Sequence, residues 1–251
     1  MQVIREVVIR SKVSADKIAG VSFSGHGKGL YMVDKAGKPV YNGNFIYRYK
    51  SMEVCKEMGK GWNKKKKFMR KLFRTFLSVS RSVFWRGFSR RSRKYFPKCS
   101  IVFSVKDYIR FRLTQEACAE YTDFSGGNLI NLNTKSYDKE LLECFGIGTL
   151  YDKFPPLKES ADICGYITKE AADLTGLIEG TPVAAGMFDV NACGIASGLD
   201  REEKLCMIAG TWSINEFICK HPIINGTVSL NSMFCIPGYF RHQKYKSRRD
   251  Q

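Results

Sequence analysis

Two short apolar runs in this sequence each end in residues that could take part in chemistry. Residues 183–188 lead to the carboxylate of Asp189, and residues 205–209 lead to the pair Gly210-Thr211. A carboxylate at a strand end can accept a proton from an attacking hydroxyl group. A glycine lets backbone N–H groups approach a phosphate closely, and threonine adds a hydroxyl. These residue types suit phosphoryl transfer, in which catalysis depends mainly on positioning and charge stabilisation.

Both features also have a purely structural interpretation. Asp189 stands just before residues 190–192, where an aspartate commonly caps a helix. The pair Gly210-Thr211 lies between two strand-like runs, where it could form an ordinary β-turn. A helix cap would also fix the carboxylate, so the structural and catalytic roles of Asp189 are compatible.

The glycine-rich run of residues 25–29 (GHGKG) is a third candidate site. Its spacing resembles part of a dinucleotide-binding loop. However, the run leads into a predicted hairpin rather than a helix, and no acidic residue follows at the distance that a βαβ unit requires. The sequence also lacks the G-x-x-x-x-G-K-[ST] phosphate loop. The residues alone leave the run as either a binding loop or a surface turn.

Alternating strands and helices are predicted around these candidates, which favours an α/β fold. The apolar spacing of residues 1–12 predicts the end of an amphipathic helix, and residues 18–24 predict a strand. A hairpin is expected from Leu30 through a turn at 34–37 to Tyr41. The remaining predictions are helices over 101–114, 137–145, 169–175 and 189–197, strands over 182–185, 204–209 and 213–219, and a loop over 121–127.

The excess positive charge is confined to one segment. The chain of 251 residues carries a formal net charge of +17, and residues 44–100 alone hold 18 lysines and arginines against two acids. The other residues hold 23 basic and 22 acidic side chains, so they are nearly neutral. A charge of this size usually indicates a nucleic acid or an anionic membrane as partner. Its confinement indicates instead a foreign segment within an ordinary sequence.

The cysteines and the apolar runs point to a soluble intracellular protein. Nine cysteines are scattered singly, and no two of them form a C-x-x-C pair. We interpret them as buried, reduced thiols and expect neither disulfides nor a metal site. No apolar run approaches the ~20 residues that span a bilayer, and the N-terminus lacks the apolar core of a signal peptide. We therefore expect a cytoplasmic protein that does not bind membranes.

Five blocks of sequence resemble, in order, the FGGY family of carbohydrate kinases, and within it the kinases of xylulose and related pentuloses. The resemblance covers residues 13–43 and about 99–240. The blocks are 24–31 (SGHGKGLY), 103–109 (FSVKDYI), 121–125 (YTDFS), 186–189 (GMFD) and 209–213 (AGTWS).

This resemblance implies an α/β fold of the ribonuclease H-like class, as in the actin and hexokinase type of ATPase, with an incomplete first lobe and the start of the second. It implies Asp189 as the catalytic base, which accepts a proton from a sugar hydroxyl during attack on the γ-phosphate of ATP. The implied substrate is xylulose or another ketopentose, and ATP with Mg²⁺ is the implied co-substrate. The other implied site residues are His26, Gly27 and Lys28 on the sugar and Gly210 and Thr211 on phosphate.

The block at 121–125 matches a loop near the substrate cleft of the family. Aspartate and serine are also common in turns and helix caps. The sequence therefore assigns no role to Tyr121, Asp123 or Ser125.

The resemblance breaks off across the basic segment. Family members carry a stretch like Leu-Ser-Ile-Asp-Thr-Arg-Ala where this chain has residues 45–51 (FIYRYKS), whose codons, read one nucleotide later, can spell that stretch. We therefore expect residues 44–100 to be a disordered or frameshifted segment. It would separate a partial N-terminal kinase lobe at 1–43 from the remainder of that lobe at 101–203. Residues 204–251 would begin the C-terminal lobe and end in an aberrant basic tail after Phe240.

The resemblance also implies missing parts. Family members begin with a hairpin that carries a phosphate loop, and their second lobe carries the adenosine pocket. Because the chain matches neither, Mg²⁺-ATP would lack much of its binding site, and we expect the chain not to turn over.

Two alternatives to a kinase stay open. One is a basic nucleic-acid-binding protein that uses residues 60–98, whose binding would be salt-sensitive and lost on deletion of that tract. The other is a non-catalytic remnant that binds sugar without hydrolysing ATP. Because the charge is confined to one segment, we do not expect nucleic acid as the partner. The sequence does not fix an oligomeric state.

Overall fold

The computed structural model describes residues 1–27, 29–41, 71, 89–90, 92–209, 213–225 and 227–246. Most of the basic segment lies outside these residues. So do three of the predicted site residues, namely Lys28, Gly210 and Thr211.

Short helices and strands alternate along the described part of the chain, as the α/β prediction requires. The α-helices are α1 (Gln2–Ser11), α2 (Val105–Thr114), α3 (Tyr121–Gly126), α4 (Lys139–Cys144), α5 (Lys169–Thr175) and α6 (Asp189–Ala196). Short 3₁₀ helices cover Ala15–Lys17, Arg93–Lys98 and Gly148–Lys153. The strands are β1 (Ser24–Gly25), β2 (Tyr31–Val33), β3 (Ile101–Phe103), β4 (Ala119–Glu120), β5 (Ile130–Asn131), β6 (Ser136–Tyr137), β7 (Leu157–Lys158), β8 (Ile163–Tyr166), β9 (Pro182–Ala184), β10 (Met187–Phe188), β11 (Cys206–Ile208), β12 (Ser213–Cys219), β13 (Leu230–Met233) and β14 (Phe240–Lys246).

Two parallel strands carry the predicted catalytic residue and the predicted sugar loop. Strand β1 pairs in parallel with β10, and Gly25 lies beside Phe188. A parallel bridge between Val21 and Val183 continues this pairing, and β9 pairs antiparallel with β8. The carboxyl ends of parallel strands meet at the same edge of a sheet, where α/β proteins commonly bind ligands. The residues after β1 therefore emerge beside those after β10.

A separate antiparallel sheet has the strand order β11-β12-β14-β13. Arg241 of β14 and Glu216 of β12 are fully buried in it and form an ion pair with an N–O distance of 3.1 Å. Strands β12 and β14 pair in unbroken register from Phe240 to Lys246. The sequence predicts an aberrant tail after Phe240, but the residues up to Lys246 continue this sheet.

The main hydrophobic core reaches into the end of the basic segment. Phe96 and Cys99 are buried in this core. The Lys153 ammonium donates hydrogen bonds to the carbonyl oxygens of Phe96 and Cys99, at 2.7 and 2.6 Å. The folded region thus extends back to the 3₁₀ helix at Arg93–Lys98, inside the segment predicted to be aberrant. The prediction for residues 44–100 as a whole stays a prediction.

Three local predictions need correction. Residues 101–103 form strand β3 rather than the start of a helix, because they pair with β2 and bury Val102 and Phe103. Residues 121–126 form helix α3 rather than a loop, because the buried Glu120 carboxylate accepts the first N–H groups of the helix. The strand predicted over 18–24 is reduced to the bridge at Val21 and to β1.

Most other elements agree with the sequence predictions. The Thr168 hydroxyl caps α5 by accepting the N–H of Ala171 at 3.2 Å, and Gly176 ends the helix with a φ of 77°. In the predicted hairpin, the Asp34 carboxylate accepts the N–H of Lys38 at 2.9 Å. Local capping and turn chemistry fixes these ends.

Eight of the nine cysteines lie among the described residues. All eight described cysteines are free, and five of them are buried. Cys193 on α6 is exposed, so the expectation of buried thiols is wrong for that residue. Among the described residues, no helix is both long and apolar enough to cross a bilayer.

Candidate functional site

Asp189 lies directly after β10 and begins helix α6. The N-cap position is held by Phe188, whose φ is −61° and ψ is 139°. Asp189 is therefore the first residue of the helix rather than the cap. Its carboxylate accepts the N–H of Val190 at 2.8 Å. Helix N-termini favour negative charge because their first N–H groups point outward, and the hydrogen bond from Val190 holds the carboxylate in place.

The loop after β1 lies beside Asp189. Because Gly25 is the register partner of Phe188, His26 follows Gly25 at the level of Asp189. Gly27 lies directly against the Phe188 ring, where a Cβ would stand 2.5 Å from a ring carbon. Only glycine fits at position 27 without moving that ring. The fold thus brings together the three described members of the predicted site, His26, Gly27 and Asp189.

Phe188 is held from three sides, and it immediately precedes Asp189. Its N–H donates a hydrogen bond to the Thr122 hydroxyl at 2.9 Å. Its ring packs on Gly27 on one side, and the guanidinium carbon of Arg241 lies 5.5 Å from the ring centre. A cation over an aromatic face is attracted to it. The position of Asp189 is thus fixed through contacts with α3, the β1 loop and the antiparallel sheet.

Arg110 links helix α2 to the chain just before Asp189. It is fully buried. Its guanidinium donates hydrogen bonds to the Asp107 carboxylate at 2.9 Å, the Ala185 carbonyl at 2.7 Å and the Cys118 carbonyl at 2.5 Å. Ala185 precedes the turn that leads to β10 and Asp189. Hydrogen bonds to a charged group are stronger than neutral ones, so Arg110 is an anchor for this part of the sheet.

Lys106 extends the same buried network of charges. Its ammonium lies 2.9 Å from the Asp107 carboxylate and 3.3 Å from the Glu120 carboxylate. Burial alone would lower the pKa of Lys106, but the nearby carboxylates outweigh it and raise that pKa. Glu120 also accepts hydrogen bonds from the Thr122 and Ser160 hydroxyls, both at 2.7 Å. Two cations, Lys106 and Arg110, thus balance two buried carboxylates.

Asp123 is a third buried carboxyl group beside this network. It is 3% exposed, and burial raises its pKa to about 7 although Lys106 opposes the shift. Its Oδ2 has no hydrogen-bond partner among the described residues. The sequence placed Asp123 in a block near a substrate cleft without assigning it a role.

The charged network was not predicted from the sequence, although a signal for it was present. Lys106, Asp107 and Arg110 stand one, three and four residues apart within a predicted helix, where such spacings bring side chains onto one face. Such a set is usually a solvated surface. Only the fold shows that this face is buried.

A comparison with protein families identifies the first 196 residues. They match the sequence model for the N-terminal domain of the FGGY family of carbohydrate kinases. The "Probable L-xylulose kinase" of Pasteurella multocida (strain Pm70) is 32% identical over 228 residues, covering 88% of this chain and 45% of that protein. The "L-xylulose/3-keto-L-gulonate kinase" of Escherichia coli (strain K12) is 31% identical over 241 residues, covering 90% of this chain and 47% of that protein.

Solved structures share the fold at lower sequence identity. A xylulose kinase from Rhodospirillum rubrum matches with a TM-score of 0.84 at 19% identity, over 96% of this chain and 49% of that one. Plasmodium falciparum glycerol kinase with ADP matches with a TM-score of 0.80 at 15% identity, over 97% of this chain and 50% of that one. These likenesses confirm the predicted ribonuclease H-like α/β fold of the actin and hexokinase type. The chain spans about half the length of the curated relatives it matches.

Proposed function

Because the chain belongs to the FGGY family of carbohydrate kinases, we propose that it supplies the sugar-binding side of an ATP-dependent sugar kinase, with Asp189 facing the sugar. One observation carries this proposal. The parallel pairing of β1 with β10 brings the loop of His26 and Gly27 to the same sheet edge as Asp189. That edge lies where ligands bind in α/β folds.

In the proposed reaction, a sugar hydroxyl gives its proton to the Asp189 carboxylate while its oxygen attacks the terminal phosphate of ATP. Two features suit Asp189 to this role. The start of α6 provides N–H groups that favour a negative charge at this position. The hydrogen bond from Val190 and the three contacts of Phe188 restrict its orientation.

The remaining roles in this proposal come from the family resemblance. Lys28 would contact the sugar beside His26 and Gly27, while Gly210 and Thr211 would contact phosphate. ATP is the phosphoryl donor that the family implies. No group of three or more histidine, cysteine or acidic side chains in the described ranges is arranged to hold a metal ion. Proteins commonly hold Mg²⁺ by one or two carboxylates together with the phosphates of the substrate, so in this proposal Mg²⁺ arrives with ATP.

Xylulose is the proposed sugar, and another ketopentose would fit the same argument. The names of the relatives, which are kinases of L-xylulose and of L-xylulose or 3-keto-L-gulonate, support a short ketose. The single hydroxyl next to Asp189 would be the one that is phosphorylated.

Replacing Asp189 by alanine is expected to weaken xylulose binding by about 10- to 100-fold. A hydrogen bond to a charged group contributes roughly 1.5–3 kcal/mol, which corresponds to this range. Isothermal titration of the purified chain with xylulose measures the effect. The exposed Asp173 on α5 provides a control, because Asp173→Ala removes the same charge from a site with no proposed role. Equal affinity in Asp189→Ala and Asp173→Ala would contradict the proposal.

The expectation that the chain does not turn over by itself needs a separate assay. The chain is incubated with ATP, Mg²⁺ and xylulose, and ADP and sugar phosphate are measured. Sugar phosphate that forms with the unaltered chain and disappears with Asp189→Ala would overturn that expectation while supporting the role of Asp189. Sugar binding without ATP hydrolysis would identify a non-catalytic sugar-binding protein.

A further inference from the structure

A small recess lies at the C-terminal end of the loop that follows β1, beside Gly29. Gly29 and Leu30 of the loop form one wall, Ser104 at the start of α2 forms another, and Asp123 and Phe124 of α3 form a third. The recess has room for about one water molecule or one hydroxyl group.

The Asp123 carboxyl in this recess is only partly satisfied by the described residues, because the Ser104 hydroxyl that acts on it also donates to Asp107 at 2.8 Å. Asp123 is 3% exposed, and its Oδ2 has no hydrogen-bond partner among the described residues. A buried polar atom without a partner is unfavourable, so native structures rarely keep one without a reason. A ligand group that fills the recess and bonds to Oδ2 would remove this penalty.

We propose that this recess is a subsite for one hydroxyl group of the sugar, with the Asp123 carboxyl as its hydrogen-bond partner. The inference rests on the proposed function and adds to it a specificity-determining residue. Asp189 would take the hydroxyl that is phosphorylated, and Asp123 would bind a second hydroxyl of the same molecule.

The recess of Asp123 and the Phe188–Asp189 segment lie close together. Gly27 touches the ring of Phe188, next to Asp189, while Gly29 lines the recess of Asp123. Two residues of chain span at most about 7 Å, so the recess lies near the Phe188 ring. Helix α3 also connects the two groups. Its Thr122 hydroxyl accepts the N–H of Phe188, which precedes Asp189, and Asp123 follows Thr122 directly.

Burial favours the neutral form of Asp123, although the nearby charge of Lys106 opposes it. Lys106 and Asp107 of α2, Glu120 of β4 and Tyr31 of β2 are the titratable groups that act on it. The two buried cations are already paired with Asp107 and Glu120. A protonated carboxyl can both donate and accept a hydrogen bond, as a sugar hydroxyl can. Burial raises its pKa to about 7, so the neutral form is present at pH 6.

The test measures xylulose affinity of the full chain at pH 6 and pH 8 in matched variants. Asp123→Asn is neutral at both pH values and keeps a donor and an acceptor, whereas Asp123→Leu keeps the size but removes both. Asp123→Leu is expected to weaken binding at least tenfold at pH 6, and Asp123→Asn by less than about threefold. The unaltered chain is expected to bind more weakly at pH 8 than at pH 6, and Asp123→Asn is expected to lose this difference. The exposed Asp152 gives the control Asp152→Leu.

Thermal unfolding of the same proteins supplies a readout that does not need the sugar. A buried carboxyl whose pKa is raised destabilises the fold at pH values where it is ionised, so the contribution of Asp123 to stability should fall between about pH 4 and pH 7 and level off above. Asp123→Asn removes this loss, so at pH 8 its Tm should lie above that of the unaltered chain. If the unaltered chain and Asp123→Asn had the same Tm at pH 8, the claim that burial raises the pKa of Asp123 would be contradicted.

Each outcome separates the subsite from the proposed function. Xylulose binding that is weakened in Asp189→Ala but unchanged in Asp123→Leu would overturn the subsite and leave the proposed function standing. The recess would then hold an ordered water molecule. An unaltered chain that binds no xylulose would overturn both.

Discussion

Replacing Arg110 by methionine is expected to lower the free energy of unfolding by about 3–5 kcal/mol, because removing one partner of a buried ion pair strands the other. Methionine keeps most of the length and the apolar stem of arginine but none of its donors. The Asp107 carboxylate would lose one of its two cationic partners, and the carbonyl groups of Ala185 and Cys118 would be buried without their present donors. Urea unfolding followed by circular dichroism measures the change.

The same helix provides the control for this prediction. Arg112 is exposed on α2, and its contact with the Tyr108 hydroxyl is long, at 3.3 Å. Surface substitutions of this kind usually change stability by no more than about 0.5 kcal/mol, so Arg112→Met should unfold at nearly the same urea concentration as the unaltered chain. If Arg110→Met and Arg112→Met were equally stable, the buried network would have no structural role.

Replacing Gly186 by alanine is expected to destabilise the chain by more than about 3 kcal/mol and to abolish sugar binding. Gly186 has a φ of +75°, and a Cβ there would stand 2.2 Å from the carbonyl oxygen of Phe23. That oxygen accepts the N–H of Met187 at 2.9 Å, which is a hydrogen bond between β10 and the residue just before β1. The added carbon would therefore separate the two strands whose pairing brings His26 beside Asp189.

Gly180 allows the steric effect to be separated from the backbone effect. Its φ is +84°, but no atom lies within 4 Å of where its Cβ would be. Gly180→Ala should therefore show only the penalty of a left-handed backbone for a residue other than glycine, roughly 1–2 kcal/mol. It should also leave sugar affinity unchanged. Equal losses in Gly186→Ala and Gly180→Ala would show that the contact with Phe23 does not matter.

Short-range signals in the sequence were sufficient for several elements of the fold. Thr168 and Gly176 cap the two ends of α5 through backbone groups of the same helix. The Asp34 carboxylate accepts the N–H of Lys38 within its own turn. Their effects are local, so the sequence alone predicts them. The short apolar run before Asp189 likewise predicted that this residue follows a strand.

Long-range contacts explain where the sequence predictions are wrong. Residues 101–103 have a pattern that continues into α2, and only the pairing with β2 makes them a strand. Helix α3 is rich in residues that favour turns, and it exists because Glu120 is buried with Lys106 and can cap it. Tertiary contacts of this kind override local propensity.

The candidate site shows the same division between local and long-range information. The residue types of His26, Gly27 and Asp189 could be read from motifs, but their proximity depends on which strands pair. The recess of Asp123 was not predictable, because it forms only where the β1 loop, α2 and α3 meet. An isolated aspartate in a hydroxyl-rich run carries no sign of being buried.

A crystal structure of the chain with bound xylulose tests the central claim most directly. The account predicts one sugar molecule at the edge shared by β1 and β10, with a hydroxyl within hydrogen-bonding distance of the Asp189 carboxylate and the sugar in contact with the loop of His26 and Gly27. A sugar bound elsewhere, with Asp189 contacting none of its hydroxyl groups, would contradict it.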